Sequence, residues 1–310
     1  MASVSVIIPT NNRPALLPRA VESARAGGTD VEIIVVDDAS TDETAQACKA
    51  LPNIRYVRVE RNQGVAGARN LGILNSSADY IAFLDDDDLR LPGSLDIQLA
   101  ALEKHPDAGF VCGGMIMADQ DYRPTGEVVH PGHAGGDAFW ELLELAFPIM
   151  PLCTLIRKEC FFRVGLLNRR ISGIDDWDIF TRIAERYPVV VVKAAVGIYR
   201  QPTPASGQGS SERAAQLRRV ANHQLKLLQL PRAAAASSRE RHAARRRTLN
   251  RISENLLWTA AKRYLPRGQL RPAYANISVA LRLDPLTFVR PEAYRKLARN
   301  LRGDNREARK

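Results

Sequence analysis

The chain has 310 residues, of which 45% are hydrophobic, so it can bury a core large enough for one domain with an extension or for two domains. No apolar run approaches the roughly 20 residues of a membrane span, and the first apolar segment lacks the basic flank of a secretory leader. The four cysteines have no CxxC spacing. That pattern is typical of reduced thiols packed in a core, so we expect a cytoplasmic chain.

The formal net charge of +10 is unevenly distributed along the chain. Residues 211–310 contain 24 Lys and Arg against 7 Asp and Glu, whereas residues 1–210 contain 20 against 27. Between them, the segment PTPASGQGSS at 202–211 has the composition of a loop. We therefore predict two domains, over residues 1–205 and 206–310, the second being a basic helical extension.

The first third of the chain alternates strand and helix signals. Apolar runs predict strands over 4–8, 32–36, 55–59 and 80–84, with helices over 14–26, 41–50, 66–76 and 92–104. A capping signature at Ser40 or Thr41, followed by Glu43 and Thr44, predicts the start of the second helix. Pro92 fits the first turn of the fourth. This alternation predicts a parallel sheet with right-handed crossovers.

The pattern loosens after residue 108. It predicts strands near 108–113, 115–118 and 125–130, a helix near 136–146, a helix over 177–186 and two short strands within 189–200. The remaining segment predicts helices near 212–229, 239–264, 269–282 and 291–302. The longest carries an apolar face at helical spacing, formed by Leu249, Ile252, Leu256, Leu257, Ala260 and Tyr264.

Two interpretations of this basic segment remain open. It is either a small helical bundle with a solvated basic face, or a surface that holds anionic membrane lipid or an acidic partner. No recognised nucleic-acid-binding motif occurs in it, so a nucleic-acid partner is disfavoured.

The stretch YIAFLDDDD at 80–88 is the most informative feature of the sequence. An apolar run ends in four consecutive carboxylates, Asp85 to Asp88, and VEIIVVDDAS at 31–40 ends in the same way. Ligands of open α/β sheets bind at the carboxyl ends of the strands. Hard divalent cations prefer carboxylate oxygens and often bring phosphates with them. The two runs therefore predict a metal–phosphate site, with a solvated acidic turn as the alternative.

A glycine-rich stretch, NQGVAGARNLG, occupies residues 62–72. It lacks both the GxGxxG pattern after a strand and the GK[ST] element, which argues against a dinucleotide-dependent or Walker-type enzyme. We expect its glycines to let a loop and helix approach a ligand closely.

Five segments, taken together in their order along the chain, are more specific than any one of them alone. They are VSVIIPTNNR (4–13), EIIVVDDASTDET (32–44), NQGVAGARNLGI (62–73), YIAFLDDDDLRLP (80–92) and GIDDWDIFTRIA (173–184). Together they resemble the inverting glycosyltransferases of family 2, which have the GT-A fold. The resemblance spans roughly the first 200 residues. It implies a mixed sheet flanked by helices, with a nucleotide-binding half over 1–110 and an acceptor half over 111–205.

The resemblance also implies a nucleotide-diphospho-sugar donor, most often a UDP-sugar, and a divalent cation, Mn²⁺ or Mg²⁺. Asp38 matches the residue that binds the base, Asp86 the residue at the ribose, and Asp87 the metal ligand. Asp85 begins the DxD pattern and is assigned to the metal indirectly. Further nucleotide-sugar-binding positions are Pro9, Thr10, Asn11, Arg13 and Arg69.

Asp176 matches the family's catalytic base, with Asp175 before it. Chemistry supports this role, because an acceptor hydroxyl is a weak nucleophile and needs a carboxylate to take its proton. The alternative is that the two aspartates cap the helix that follows, and a cap at Asp175 is compatible with a base at Asp176. Trp177 and Asp175 are candidates for acceptor contacts. The chain departs from the family at Tyr199–Arg200, where no histidine follows to complete the metal site.

The sequence thus predicts an inverting, metal-assisted sugar transferase acting on a saccharide or lipid-linked saccharide in glycan or cell-surface polysaccharide synthesis. We expect it in the cytoplasm, peripherally at the inner face of the cell membrane, and we also expect it to form a homo-oligomer. The alternatives are a non-catalytic scaffold that binds nucleotide sugar or membrane and, with less support, a nucleotidyltransferase.

Overall fold

The computed structural model describes residues 3–147, 149–171, 173–201 and 213–289. They fall into two compact units, Met1–Leu142 with Phe147–Gln208, and Leu143–Ala146 with Gly209–Lys310. The boundary predicted from the sequence lies at residue 205, and residues 143–146 belong to the second unit although the sequence does not predict it. The helix predicted over 291–302 lies outside the described residues.

In the described part of the first unit, strands and helices alternate along the chain as far as residue 83, and the order is irregular beyond it. The strands are β1 (Val4–Thr10), β2 (Val31–Asp37), β3 (Arg55–Arg58), β4 (Tyr80–Phe83), β5 (Leu89–Arg90), β6 (Phe110–Ala118), β7 (Pro124–Val129), β8 (Thr154–Arg157) and β9 (Val189–Arg200). The helices are α1 (Leu17–Ala26), α2 (Thr44–Ala50), α3 (Gly64–Asn75), α4 (Ser94–Glu103), α5 (Phe139–Leu143), α6 (Lys158–Val164) and α7 (Asp175–Ala184).

These strands form one sheet in the order β3-β2-β1-β4-β8-β6-β9-β5, with β7 paired to β6. The pairs β1–β2, β1–β4 and β2–β3 are parallel, which confirms the βαβ prediction for the first half. Alternate residues of β1 enter two different cores: Ile7 belongs to one and Ile8 to the other. Burial on both faces is the reason that the strand sequences are continuously apolar.

The second half of the sheet is mixed. Strand β8 runs antiparallel to both β4 and β6, whereas β6 and β9 are parallel and β5 is antiparallel to β9. The mixed sheet flanked by helices that the sequence predicted is confirmed. The fold therefore changes from parallel to mixed pairing immediately beyond β4, the strand that the acidic run follows.

Several predicted boundaries in this half were wrong. Residues 110–118 form one strand rather than two, and 189–200 form one strand with register shifts rather than two short ones. Gly113 and Gly114 lie inside β6, where the side chains of Val196 and His130 occupy the space that a Cβ atom would take. The helix expected over 136–146 is only the five residues of α5.

Two predicted helix starts were also wrong. Helix α2 begins at Thr44 without a side-chain cap from Ser40 or Thr41. The Ser40 amide instead donates to Asp37 Oδ1 at 2.8 Å, and the Thr44 amide donates to Asp42 Oδ1 at 3.0 Å. Helix α4 begins at Ser94 after Gly93, whose φ is +67°, so Pro92 precedes the helix. Local aspartate and glycine turns thus override the simple capping signals.

A glycine of α3 explains how closely this helix approaches the sheet. A Cβ atom on Gly72 would collide with the side chain of Ile7 in β1. The expectation that the glycines serve a ligand is therefore wrong for Gly72, which lets α3 pack against the core strand.

The described part of the second unit is helical. Its helices are α8 (Arg213–Leu227), α9 (Pro231–Ala235), α10 (Ser238–Thr259) and α11 (Leu270–Leu283). Helix α10 starts at a capping box made by Ser237 and Glu240 and continues into a π turn over Ala260–Tyr264. Its predicted apolar face is buried at Ile252, Leu256 and Ala260. Among the helices described here, none combines the length and the apolar character needed to cross a bilayer.

A buried carboxylate organises part of this unit. Glu144 accepts hydrogen bonds from Arg247 Nε at 2.7 Å and Nη2 at 2.6 Å, and from Arg251 Nη1 at 3.4 Å. Residues 143–146 therefore belong to the helical unit through a bidentate ion pair. Some of the excess arginines have a structural partner and are not part of a solvated face.

Candidate active site

The polar side chains that end β1, β2 and β4 lie next to one another. The amide of Asp38 donates to the carbonyl of Thr10 at 2.9 Å, and the amide of Leu84 donates to that of Ile7 at 3.0 Å. These bonds extend the parallel ladder to the point where the acidic run begins. The two acidic strand ends therefore lie at the same edge of the sheet, on either side of β1.

Asp86 is held by residues that follow β1. Its carboxylate accepts hydrogen bonds from Thr10 Oγ1 at 2.7 Å and from Arg13 Nη1 at 2.8 Å. The same Arg13 nitrogen donates to Asp87 Oδ2 at 2.8 Å. Burial raises the pKa of Asp86 to about 6, because the loss of hydration outweighs the attraction of the Arg13 guanidinium. Three of the predicted donor-site residues thus form one connected group.

The remaining predicted nucleotide-binding residues border this group. Pro9 pairs with Val36 across β1 and β2. Asn11 Nδ2 donates to the carbonyl of Asp38 at 2.7 Å. The carboxylate of Asp38 is buried and accepts the amide of Gln63 at 2.7 Å. Asp38 thereby fixes the loop that enters α3 beside the strand ends.

Three carboxylates of the acidic run gather at one point. Oxygen atoms of Asp85, Asp87 and Asp88 all lie within 4.8 Å of one another. Asp88 is only 3% exposed, and its Oδ1 accepts the amide of Arg200 at 2.9 Å. Burial, followed by the charge of Asp85, holds the pKa of Asp88 well above its usual value. The sequence analysis did not assign Asp88, because four adjacent aspartates gave no sign of which would converge.

This group has the chemistry of a divalent cation site. It supplies only hard oxygen donors, the type that Mg²⁺ and Mn²⁺ prefer. Burial, and after it the charges of neighbouring aspartates, raise the carboxyl pKa values of Asp87 and Asp88, and a dication would offset the repulsion among these charges. Asp88 also provides a third carboxylate where the sequence lacks the histidine after Tyr199–Arg200. The backbone of that segment, at Arg200, is what holds Asp88.

Arg69 connects the acidic run to helix α7. It is 4% exposed, with Nη2 2.6 Å from Asp85 Oδ1 and Nη1 3.4 Å from Asp175 Oδ2. Among the residues described, its Nε has no hydrogen-bond partner. The sequence placed Arg69 near the diphosphate, and the structure adds that two carboxylates flank its guanidinium.

The predicted base lies at the start of α7. The helix begins at Asp175, and no side chain caps it. Asp175 Oδ1 instead accepts the amide of Gly173 at 3.2 Å, so the predicted capping role of Asp175 is wrong. Asp176 is half-buried and accepts the amide of Trp177 at 2.8 Å. Burial and the neighbouring charge of Asp175 raise the pKa of Asp176 to about 6.

The two acceptor candidates have different surroundings. Trp177 is partly buried and packs against the hydrophobic core under the sheet. Asp175 is 2% exposed, and its carboxylate is the one that meets Arg69. This position suits Asp175 to orienting Arg69 and, through it, Asp85.

Arg90 is a buried residue near the site that the sequence analysis missed. It donates to Gln98 Oε1 at 2.7 Å and to the carbonyl of Thr154 at 2.9 Å, while Gln98 donates to the carbonyl of Cys153 at 2.8 Å. These bonds join the strand after the acidic run to the start of β8. Burial lowers the pKa of Arg90 to about 10.

Comparison with known proteins agrees with this architecture. The model of glycosyl transferase family 2 matches residues 5–158. A glycosyltransferase of Haemophilus influenzae is 28% identical over 185 residues, which cover 59% of this chain and 62% of that protein. A PGL/p-HBAD biosynthesis glycosyltransferase of Mycobacterium bovis is 31% identical over 202 residues, which cover 61% of this chain and 74% of the relative.

Solved structures show the same fold. The crystal structure of S. aureus TarS 1–349 superposes with a TM-score of 0.62 at 17% identity, covering 97% of this chain and 92% of TarS 1–349. A further crystal structure is of TarS 1–349 in complex with UDP-GlcNAc, with a TM-score of 0.58, 15% identity, and coverage of 95% of this chain and 92% of that one. With these matches and the strand-end site, the chain belongs to glycosyl transferase family 2 and has the GT-A fold.

Proposed function

We propose that this protein moves a sugar, with inversion, from a nucleotide-diphospho-sugar to a hydroxyl group of a saccharide or lipid-linked saccharide. Membership of family 2 supports transfer from a nucleotide sugar. A UDP-sugar is the favoured donor, since TarS has the same fold and was crystallised with UDP-GlcNAc. The product would belong to glycan or cell-surface polysaccharide synthesis.

One observation carries the proposal: a single buried guanidinium joins the two chemical halves of the site. Arg69 contacts Asp85 in the acidic cluster and Asp175 at the start of α7. The pKa of Asp176, the next residue in the chain, is shifted by burial and by the charges of Asp175, Arg69 and Asp85. A donor held at the cluster would therefore lie beside a carboxylate that is ready to accept a proton.

Asp176 acts as the general base in this proposal. It takes the proton of the acceptor hydroxyl as that oxygen attacks the anomeric carbon, while the bond to the diphosphate breaks. A single displacement on an α-linked donor gives a β-linked product. The pKa of about 6 leaves Asp176 mostly ionised at neutral pH but basic enough to accept the proton.

The donor would be held from both sides of the strand ends. Asp38 is proposed to bind the base and Asp86 the ribose, with Pro9, Thr10 and Asn11 completing the pocket. Asp85, Asp87 and Asp88 would hold Mn²⁺ or Mg²⁺. Such a cation, when bound, stabilises the negative charge that develops on the diphosphate leaving group. Arg13 and Arg69 are the neighbouring cationic groups that can bind phosphate oxygens.

The central test is the Asp176→Asn variant. It preserves size and the hydrogen bond from Trp177 but cannot accept the proton, so we expect sugar transfer to fall by at least about a hundredfold. Donor binding should remain within about threefold, as measured by thermal shift with a panel of nucleotide sugars and Mn²⁺. Asp107→Asn, at an exposed position, is the matched control and should transfer sugar normally.

Transfer by Asp176→Asn at the rate of the unmodified protein would remove Asp176 from the role of base. If the unmodified protein binds nucleotide sugars but releases no nucleoside diphosphate with Mn²⁺, either alone or with saccharide acceptors, it is a binding scaffold rather than an enzyme. The cytoplasmic location and the homo-oligomer stay predictions.

A further inference from the structure

The hairpin between α10 and α11 ends in an unusual surface. We call residues 262–274 the hairpin tip; they run from the π turn at the end of α10, through a 3₁₀ turn at Leu265–Arg267, into the first residues of α11. The base of the tip is well packed, because Ala260, Tyr264 and Ala273 form a small buried cluster. Gly268, with φ +66°, makes the reversal between the helices.

Large apolar side chains project from this tip into solvent. Tyr274 is 74% exposed, Leu270 70% and Leu265 47%. Among the described residues, eleven large apolar side chains are exposed, and seven of them belong to the stretch from Trp258 to Val289. A cluster of this kind on a well-packed scaffold indicates a binding surface.

The same tip is strongly basic. It carries Lys262, Arg263, Arg267 and Arg271, and no acidic residue occurs along the chain between Glu254 and Asp284. Arg263, Arg267 and Arg271 are exposed, and within the described ranges no carboxylate forms an ion pair with any of these three arginines. Arg267 Nη1 donates to the backbone carbonyl of Arg263 at 2.8 Å, which holds the Arg267 side chain against the backbone of the tip.

Leucine and tyrosine between unpaired arginines match the chemistry of an anionic bilayer surface. Leucine and tyrosine side chains enter the boundary between headgroups and acyl chains, while arginines remain at the level of the lipid phosphates. Each basic residue near such a surface contributes about 1 kcal/mol, or roughly fivefold in affinity. An acidic protein would satisfy the arginines but would leave the projecting leucines unexplained.

We propose that the hairpin tip docks the protein on a membrane that contains anionic phospholipid. The contact lies in the plane of the interface, with Leu265, Leu270 and Tyr274 inserted and the arginines on phosphate groups. Of the two interpretations of the basic segment, a surface that holds anionic lipid is the one proposed here. It applies to the hairpin tip and not to the rest of the basic segment. The proposal does not depend on which sugar or acceptor the first unit uses.

The test is co-sedimentation of the full chain with vesicles. We expect binding to an equal mixture of phosphatidylcholine and phosphatidylglycerol, little binding to phosphatidylcholine alone, and weaker binding as salt is raised. Two variants separate the contributions: Leu265→Ser/Leu270→Ser/Tyr274→Ser removes the apolar contacts, and Arg263→Gln/Arg267→Gln/Arg271→Gln removes the charge. Each should lower the partition coefficient at least about tenfold.

A matched variant controls for net charge. Arg239→Gln/Arg245→Gln/Arg246→Gln removes the same number of charges from a groove along the first turns of α10, and its binding should stay within about threefold. A melting temperature is recorded for each variant. If a triple variant is unfolded, Leu270→Ser and Arg271→Gln, both at exposed positions, replace it with an expected loss of about threefold each.

Several results would overturn the proposal. One is equal binding to neutral and anionic vesicles, or no binding at low salt. Another is an equal loss in the matched variant, which would mean attraction by diffuse charge instead of by the tip. A third is an oligomer that the tip variants convert to monomer without any vesicle binding, which would make the tip a contact between copies of this chain.

Discussion

At the scale of single residues, the site is governed by how burial and charge act on each aspartate. Asp37, buried and bonded to Ser40 and Tyr56, has a pKa below its usual value, because these hydrogen bonds favour the ionised form. Burial, followed by the charge of the neighbouring Asp175, raises the pKa of Asp176 to about 6. The same side chain therefore serves as a structural anion in one place and as a candidate base in another.

The raised pKa of Asp176 predicts a pH dependence. The base must be ionised to accept a proton, so kcat/KM should rise with pH through about 6 and level off above it. Initial rates at limiting donor and acceptor between pH 4.5 and 8 measure this. An Asp175→Asn variant removes the nearby charge that raises the pKa, so its acid limb should move to lower pH. An acid limb that stays in place in Asp175→Asn would contradict the assignment.

At the scale of elements, the site depends on how closely α3 lies on β1. This helix carries Arg69 on the side facing the acidic run and Gly72 on the side facing Ile7. Because Gly72 has no side chain, the helix can pack close enough for Arg69 to reach both Asp85 and Asp175. A glycine in the middle of a helix is unfavourable by about 1 kcal/mol, and this packing is the reason to have it there.

Replacing this glycine should therefore harm both stability and the site. Gly72→Ala places a methyl group against the buried Ile7, and overpacking of this kind costs about 1–3 kcal/mol, more than the gain in helix propensity of about 1 kcal/mol. A Cβ atom would lie only 2.3 Å from Ile7 Cγ2, which puts the cost near the upper end of this range. After the gain in helix propensity we expect a net loss of about 2 kcal/mol in the free energy of unfolding, measured by urea denaturation. Gly132→Ala, where a Cβ atom meets nothing within 4 Å, is the control and should be nearly neutral. A Gly72→Ala variant as stable as the control would contradict the packing argument.

At the scale of the whole molecule, the first unit concentrates negative charge and the second concentrates positive charge. Asp85, Asp87 and Asp88 come together because the acidic run is anchored at both ends. Before the run, β4 pairs with β1, and after it, β5 pairs with β9, whose Arg200 amide donates to Asp88. In the second unit, Glu144 forms ion pairs with Arg247 and Arg251, whereas the arginines of the hairpin tip are exposed to solvent. The two units thus carry net charges of opposite sign.

Cation binding should stabilise the protein measurably. Mn²⁺ at about a hundred times its dissociation constant adds about 2.7 kcal/mol to the folded state, which corresponds to a rise in Tm of about 5 °C or more. Differential scanning fluorimetry at neutral pH, with EDTA to reverse the shift, measures this without donor or acceptor. Asp87→Asn should lose most of the response, whereas Asp121→Asn, at an exposed position, should keep it. An unchanged response in Asp87→Asn would exclude it as a ligand.

Features that depend on the local order of residues could be read from the sequence. The parallel strands β1, β2 and β4 are continuous apolar runs, and the acidic run and Asp176 follow signals that recur in one family. The two strands predicted at 108–113 and 115–118 and the helix start at Pro92 were wrong, because the local residue pattern does not report the long-range pairing that continues a strand or delays a helix. Inside β6, Gly113 makes room for Val196, more than eighty positions away.

The sequence by itself determined the family, the parallel half of the sheet and the segments that carry the candidate site, because periodicity and motif spacing are local properties. Only the tertiary structure decided that Asp88 converges with Asp85 and Asp87, that Arg69 links this cluster to Asp175, and that 143–146 belong to the helical unit. Convergence, burial and shifted pKa values depend on contacts between residues as far as 112 positions apart. Such contacts exist only after the chain has folded.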